Sequence, residues 1–220
     1  MRASKSGVAL SNVCFILVSV SRVAFGQASG AAQTPAPSAP AAAQAPAASA
    51  QAVATGPRAE ATRLIEDAET KLTKLAQAIP SDKYSWRPGK DVRSVSEVFM
   101  HVAAGNFAIP RRIGSDPPAG FTPQGFDKST ADKSKVMDEM KRSFAHAKQA
   151  VAKLTDADME KTAPWFGNRQ ATYREILFFL GAHEHEHLGQ TIAYARMIGV
   201  TPPWTEEQQQ RQKAQAQPKK

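Results

Sequence analysis

Residues 172–199, TYREILFFLGAHEHEHLGQTIAYARMIG, read as one long helix carrying its own start and stop signals. Thr172-Tyr173-Arg174-Glu175 has the form of a capping box, Gly199 stands where a left-handed C-terminal residue is favoured, and Pro202 and Pro203 forbid continuation. At about 100° per residue, Ile176, Leu180, His183, His187, Tyr194 and Ile198 share a band about 60° wide. Two imidazoles therefore occupy a row that a buried helix fills with leucine. His185 falls nearly opposite them and is expected to face solvent.

An amphipathic helix needs neighbours to cover its apolar stripe, and the chain supplies three more. From Arg58 to Ile79 the stripe is Leu64, Ala68, Leu72, Leu75 and Ile79, closed by Pro80. Ser94-Val95-Ser96-Glu97 is a second capping box, opening a helix toward Ile109 with Val95, Val98, Phe99 and Val102 inward and Pro110 at its boundary. Thr130 to Leu154 follows, with Val136, Met140, Phe144, Ala147, Val151 and Leu154 inward; His146 lies off that stripe and is expected at the surface. The Pro- and Gly-rich run 114–127 is an irregular connection long enough to serve a function. Without an alternating strand pattern or an internal repeat, residues 58–204 are expected to form an all-α four-helix bundle.

The rest of the chain stands apart from that bundle. Residues 1–26 place Arg2 and Lys5 ahead of an apolar run from Val13 to Val20, with small residues near Ala24 and Gly26, the layout of a secretory signal peptide. The apolar run is too short to span about 30 Å of hydrocarbon, so contact with a membrane is expected only through that transient segment. The sole cysteine, Cys14, would leave with it, and a mature chain without thiols has neither disulfides nor thiolate catalysis. Residues 27–57 carry no charge and no aromatic side chain; such an Ala/Pro-rich run cannot offset its ordering entropy and reads as a disordered tether. Residues 205–220 read as a disordered polar tail. Of the formal charge of +8, three cations belong to the signal and a net two to the tail. The bundle is thus nearly balanced, which argues against a nucleic-acid partner and leaves periplasmic or secreted location as the expectation.

His183 and His187, spaced i and i+4, stack on one helix face about 5 to 6 Å apart at Cβ, close enough to share one ion. A catalytic divalent metal normally has three protein ligands, and His101, at the edge of the second helix's inward stripe, is the donor a bundle can bring to them. Three inward imidazoles without an ion would each need another partner, and charged ones would repel. Glu184 and Glu186 border the same face on opposite sides, as solvated carboxylates, acceptors behind the ligands, or a general base. The stretch also satisfies H-E-x-x-H, in which Glu184 would activate water for peptide hydrolysis. Against that rival, Gln190 and Ala193 stand where a metzincin places its glycine and third histidine, and no strand precedes the helix.

Taken together, YSWRP at 84–88, SVSEVFMHVAAGN at 94–106 and HEHEHLGQTIAYARMIGVTPPW at 183–204 resemble the DinB-like metal-binding four-helix proteins. That family is related to bacterial thiol-dependent S-transferases and to a mycothiol-dependent maleylpyruvate isomerase. The resemblance covers roughly residues 60–204. It implies an up-down-down-up order of helices, frequent homodimers, and a divalent ion, commonly zinc or nickel, with an open coordination position. Carried over by matching position, the family's metal triad falls on His101, His183 and His187. Gln190 matches the family's recurrent glutamine, whereas Leu188 departs from the arginine that many members carry there.

These readings lead to an exported metal-dependent hydrolase or transferase acting on a small molecule, with Trp86, Trp165 and Trp204 large enough to wall a pocket. The alternative is a tethered metal-binding module without catalysis. Export argues against thiol transfer, since reduced low-molecular-weight thiols abound in the cytoplasm and not outside it.

Overall fold

The computed structural model of the chain describes residues 54–216. The expected signal peptide, nearly all of the tether and residues 217–220 lie outside them. The bundle helices are α1 (Pro57–Ala78), α2 (Val95–Ala108), α3 (Lys133–Ala152) and α4 (Tyr173–Met197), with a hairpin of β1 (Thr162–Trp165) and β2 (Arg169–Thr172) before α4 and a further helix α5 (Pro203–Ala216) after it.

Local chemistry sets the helix ends. Ser94 Oγ accepts from the Glu97 amide while Glu97 Oε2 accepts from the Ser94 amide, a complete capping box. At α4 only half of the expected box forms. Thr172 Oγ1 accepts from the Glu175 amide, but the Glu175 carboxylate turns outward to Arg169 at 2.6 Å. Helix α3 starts later than its apolar pattern suggests, because Asp132 caps it by accepting from the Lys135 amide.

Side-chain pairs fix the helix directions. Leu64 against Gly181 and Asp67 against His185 run α1 parallel to α4. Glu69 with Lys148, and Lys133 with the Gln77 carbonyl, run α1 antiparallel to α3. His101 against His187 and Gly105 against His183 run α2 antiparallel to α4. The order is up-down-down-up, and the most extensive packing joins α1 to α4 and α2 to α3, so α1 lies diagonal to α2 and α3 diagonal to α4. The core is continuous, with Ile65, Leu72, Leu75, Phe99, Phe144, Ile176 and Leu180 wholly buried.

Three expectations need correction. The segment before α4 is a hairpin, paired from Thr162 opposite Thr172 to Trp165 opposite Arg169. Four-residue strands interrupted by Pro164 leave too short an alternation to read, and Pro164 is tolerated because a two-stranded ribbon has free edges. Residues 205–216, expected to belong to a disordered tail, are helical as part of α5, which contacts α1 through Glu207 and Lys74 at 2.8 Å. Finally, burial on α4 centres on Leu177, Gly181, Glu184, Leu188, Thr191 and Ala195. The histidine row lies on the shoulder of that stripe, facing α2.

Candidate metal centre

That shoulder brings the three candidate ligands together. His101, His183 and His187 each offer a nitrogen, and these atoms lie within 4.8 Å of one another. His101 Nε2 and His183 Nε2 are 3.2 Å apart, and the His101 and His187 ring centroids are separated by 4.6 Å. Two imidazoles on one tetrahedral zinc, at about 2.0 to 2.1 Å each, would hold their nitrogens about 3.3 Å apart. The spacing fits that arrangement.

A glycine makes the approach possible. Gly105 follows His101 by one turn of α2, and a Cβ there would lie 2.5 Å from His183 Cε1 and 2.9 Å from its Nδ1. Glycine inside a helix costs about 1 kcal/mol relative to alanine, so its presence needs a packing reason. Here the reason is room for the His183 ring.

The protonation state also suits an ion. Burial pushes His101 down to about 4, with Arg93 and His187 adding to the effect, and pushes His183 down to about 3, with His187, His101 and Arg93 adding. These two rings are neutral near pH 7, the form in which imidazole binds metal. His183 Nδ1 is buried and has no partner among the described residues. His187 is held differently: its Nδ1 lies 2.9 Å from Gln190 Oε1, and Gln190 Nε2 donates to the Tyr194 hydroxyl at 2.9 Å. That chain fixes a proton on Nδ1 and presents Nε2 to the cluster.

The flanking groups depart from expectation in several places. Glu184 is not a solvated carboxylate but wholly buried, on the core side of the histidine row. Its Oε1 lies 3.0 Å from the Asn106 amide, its Oε2 has no partner among the described residues, and burial, with Glu69 adding, pushes it up to about 9. A neutral acid pointing away from the histidines is no base for an H-E-x-x-H protease. Glu186 is exposed, and its charge favours the protonated form of His101. His185 is not at the cluster, but neither is it free in solvent: its Nδ1 donates to the Gly181 carbonyl at 2.7 Å and its Nε2 lies 3.1 Å from Asp67. His146, expected at the surface, is half-buried with its ring 5.7 Å from that of Phe107.

The tryptophans divide. Trp165 meets Phe179, whose ring stacks on His183. Trp86 stands behind Tyr194, and Trp204 packs on the core at the start of α5. Sequence reasoning missed Gly105, Arg93 and Phe179; only Gly105 left a signal, as a glycine one turn beyond a candidate ligand.

A family model described as the DinB superfamily matches residues 64–191. Among solved structures, a DinB-like protein from Bacillus cereus is 17% identical, with a TM-score of 0.56, over 64% of this chain and 93% of that one. A DinB-like protein from Bacillus subtilis, YjoA, is 20% identical with a TM-score of 0.52, over 64% and 93%. YfiT from Bacillus subtilis, described as a probable metal-dependent hydrolase with an unusual four-helix bundle topology, is 16% identical with a TM-score of 0.54, over 66% and 89%. At these identities the likeness is one of fold. Among curated proteins no match to the chain is found.

Proposed function

The chain belongs to the DinB superfamily, and from that footing we propose that it is a metal-dependent hydrolase or transferase built on His101, His183 and His187. The observation that carries the reading is the convergence of three imidazoles from two helices, seated by a glycine and kept neutral by burial. Zinc or nickel suits an all-imidazole donor set. When bound, such an ion supplies Lewis acidity, lowering the pKa of a water toward about 7 or polarising a substrate oxygen.

The protein's own residues supply placement. His101 and His183 are only partly buried, which supports a position at the ion for water or substrate. Gln190 and Tyr194 hold the tautomer of His187, and Glu186 stands at the mouth as the one of the two neighbouring carboxylates that solvent reaches. The fold does not by itself choose the reaction. A signal-peptide pattern at residues 1–26 supports action outside the cytoplasm, to be checked by sequencing the N-terminus of the exported protein.

Elemental analysis of purified protein tests the metal, and cobalt substitution tests the open position. One ion per chain is expected in the parent, and substoichiometric metal in His101→Ala and His183→Ala. The cobalt spectrum should shift on adding azide. Equal metal in all three proteins would make the ion adventitious, and a spectrum indifferent to azide would favour the non-catalytic tethered module.

A further inference from the structure

Two of the large apolar side chains most exposed among the described residues lie side by side, next to a candidate ligand. Phe166 is 61% exposed and Phe179 is 40% exposed, with ring centroids 6.2 Å apart, and the nearly buried Trp165 touches both at 4.7 and 5.1 Å. Phe179 precedes His183 by one turn of α4, and the two rings are stacked at 6.5 Å with planes 21° apart. The third, Met197, stands alone at the far end of α4.

The hairpin turn that presents Phe166 takes left-handed φ of 71° at Gly167 and 57° at Asn168, conformations that glycine and asparagine adopt more readily than other residues. Trp165 anchors the turn from below, while Phe166 stays in water where it adds little to folding. A shelf two rings wide is far smaller than the roughly 1,000 Å² that a stable protein interface buries. Its dimensions match a small flat ligand.

The other side of the cluster is polar. Arg93, paired with Asp127 at 3.4 Å, shares a recess with Gln190, whose Oε1 lies 2.9 Å from His187 Nδ1. The recess is about 600 Å³ in volume and is also lined by Arg87, Glu97, Asp127 and Lys128. The cluster therefore meets an aromatic shelf at His183 and, through Gln190 at His187, a recess with a guanidinium able to hold a carboxylate.

We infer that this site takes aryl-bearing carboxylic acids or their derivatives, the ring lying on Phe179 and Phe166 and the acid head directed at the ion and Arg93. The inference rests on the metal reading above and names its substrate class. Aromatic rings gain from offset or edge contacts with one another beyond the area they bury, so a flat aryl body is favoured over a bare acid.

Binding to the cobalt-loaded full chain, followed by its visible spectrum, tests this with acetate and naphthylacetate as probes. Naphthylacetate is expected to bind about tenfold or more tighter than acetate. Phe166→Ser, at an exposed turn, and Phe179→Ala should each remove severalfold of that margin and leave acetate unchanged, while Arg93→Gln should weaken both acids alike. Thermal melts of the variants establish that each is folded. Equal affinity for the two acids, or a margin that survives both phenylalanine substitutions, overturns the shelf. A chain that takes up no cobalt overturns the metal reading and this one together, whereas uptake without discrimination overturns only this one.

Discussion

His183 and Glu184 are adjacent on α4, yet the two flanks they serve handle polar groups in the interior by different means. On the α2 shoulder, three imidazoles face one another with no carboxylate between them, an arrangement suited to a cation from outside the chain. On the core-facing flank a single carboxyl is wholly buried, meets Asn106 through one oxygen, and sheds its charge by staying protonated. One flank is open and built for an ion; the other is closed and neutralises itself. A buried ionisable group is thus a functional signal only when its neighbours leave it something to bind.

The comparison can be broken first at the glycine. Gly105→Ala puts a methyl where the His183 ring sits, and metal affinity is expected to fall more than about 100-fold by competition titration with a chelator. The closed flank should not notice, so the metal-free melting temperature should change far less than affinity does. If affinity holds, the ring is not confined as described.

Next in size is the support for His187. Gln190→Ala removes the acceptor for its Nδ1 and is expected to cost about 10- to 100-fold in metal affinity, with the fold intact. Tyr194→Phe, one step further back, should cost less.

The third prediction concerns the pH dependence of stability in chelator-treated protein. His101 and His183 have folded-state pKa values below their ordinary 6.5, so the unfolded chain binds more protons below that pH and stability falls as pH drops toward 4. Glu184 has a folded-state pKa raised from 4.5 to about 9, so the folded chain holds the extra proton and stability falls as pH rises through that window. The two effects place the maximum near pH 6.5. Between there and pH 9 the Glu184 contribution has a limiting slope of about 1.4 kcal/mol per pH unit. Glu184→Gln, isosteric and always neutral, should flatten this alkaline limb in denaturant titrations while leaving the acid limb in place. A limb that persists in the variant would assign it to another group.

The smallest effect is expected at His185. Its partner Asp67 is 45% exposed, so His185→Ala should cost less than about 1 kcal/mol and leave metal affinity unchanged.

The four bundle helices, the Ser94 cap and most inward positions were legible because apolar periodicity and terminal chemistry act locally, as along Val136, Met140 and Phe144. Directions were not, since no local signal says that α2 lies diagonal to α1; those rested on resemblance. The three histidines could be selected from spacing and helix faces. Glu184 was misplaced because a wheel centred on the histidine row puts the core on their axis, whereas α4 packs on α1 and α2 at once and its buried centre shifts toward Gly181 and Glu184. Arg93, Phe179 and the hairpin are joined to the site only by tertiary packing.

X-ray absorption at the zinc edge of the zinc-loaded protein addresses the central claim most directly. Three imidazole nitrogens at about 2.0 to 2.1 Å and one oxygen ligand are predicted, with one imidazole fewer in His101→Ala. A first shell of oxygens with one imidazole or none, unaltered by that substitution, would contradict the account.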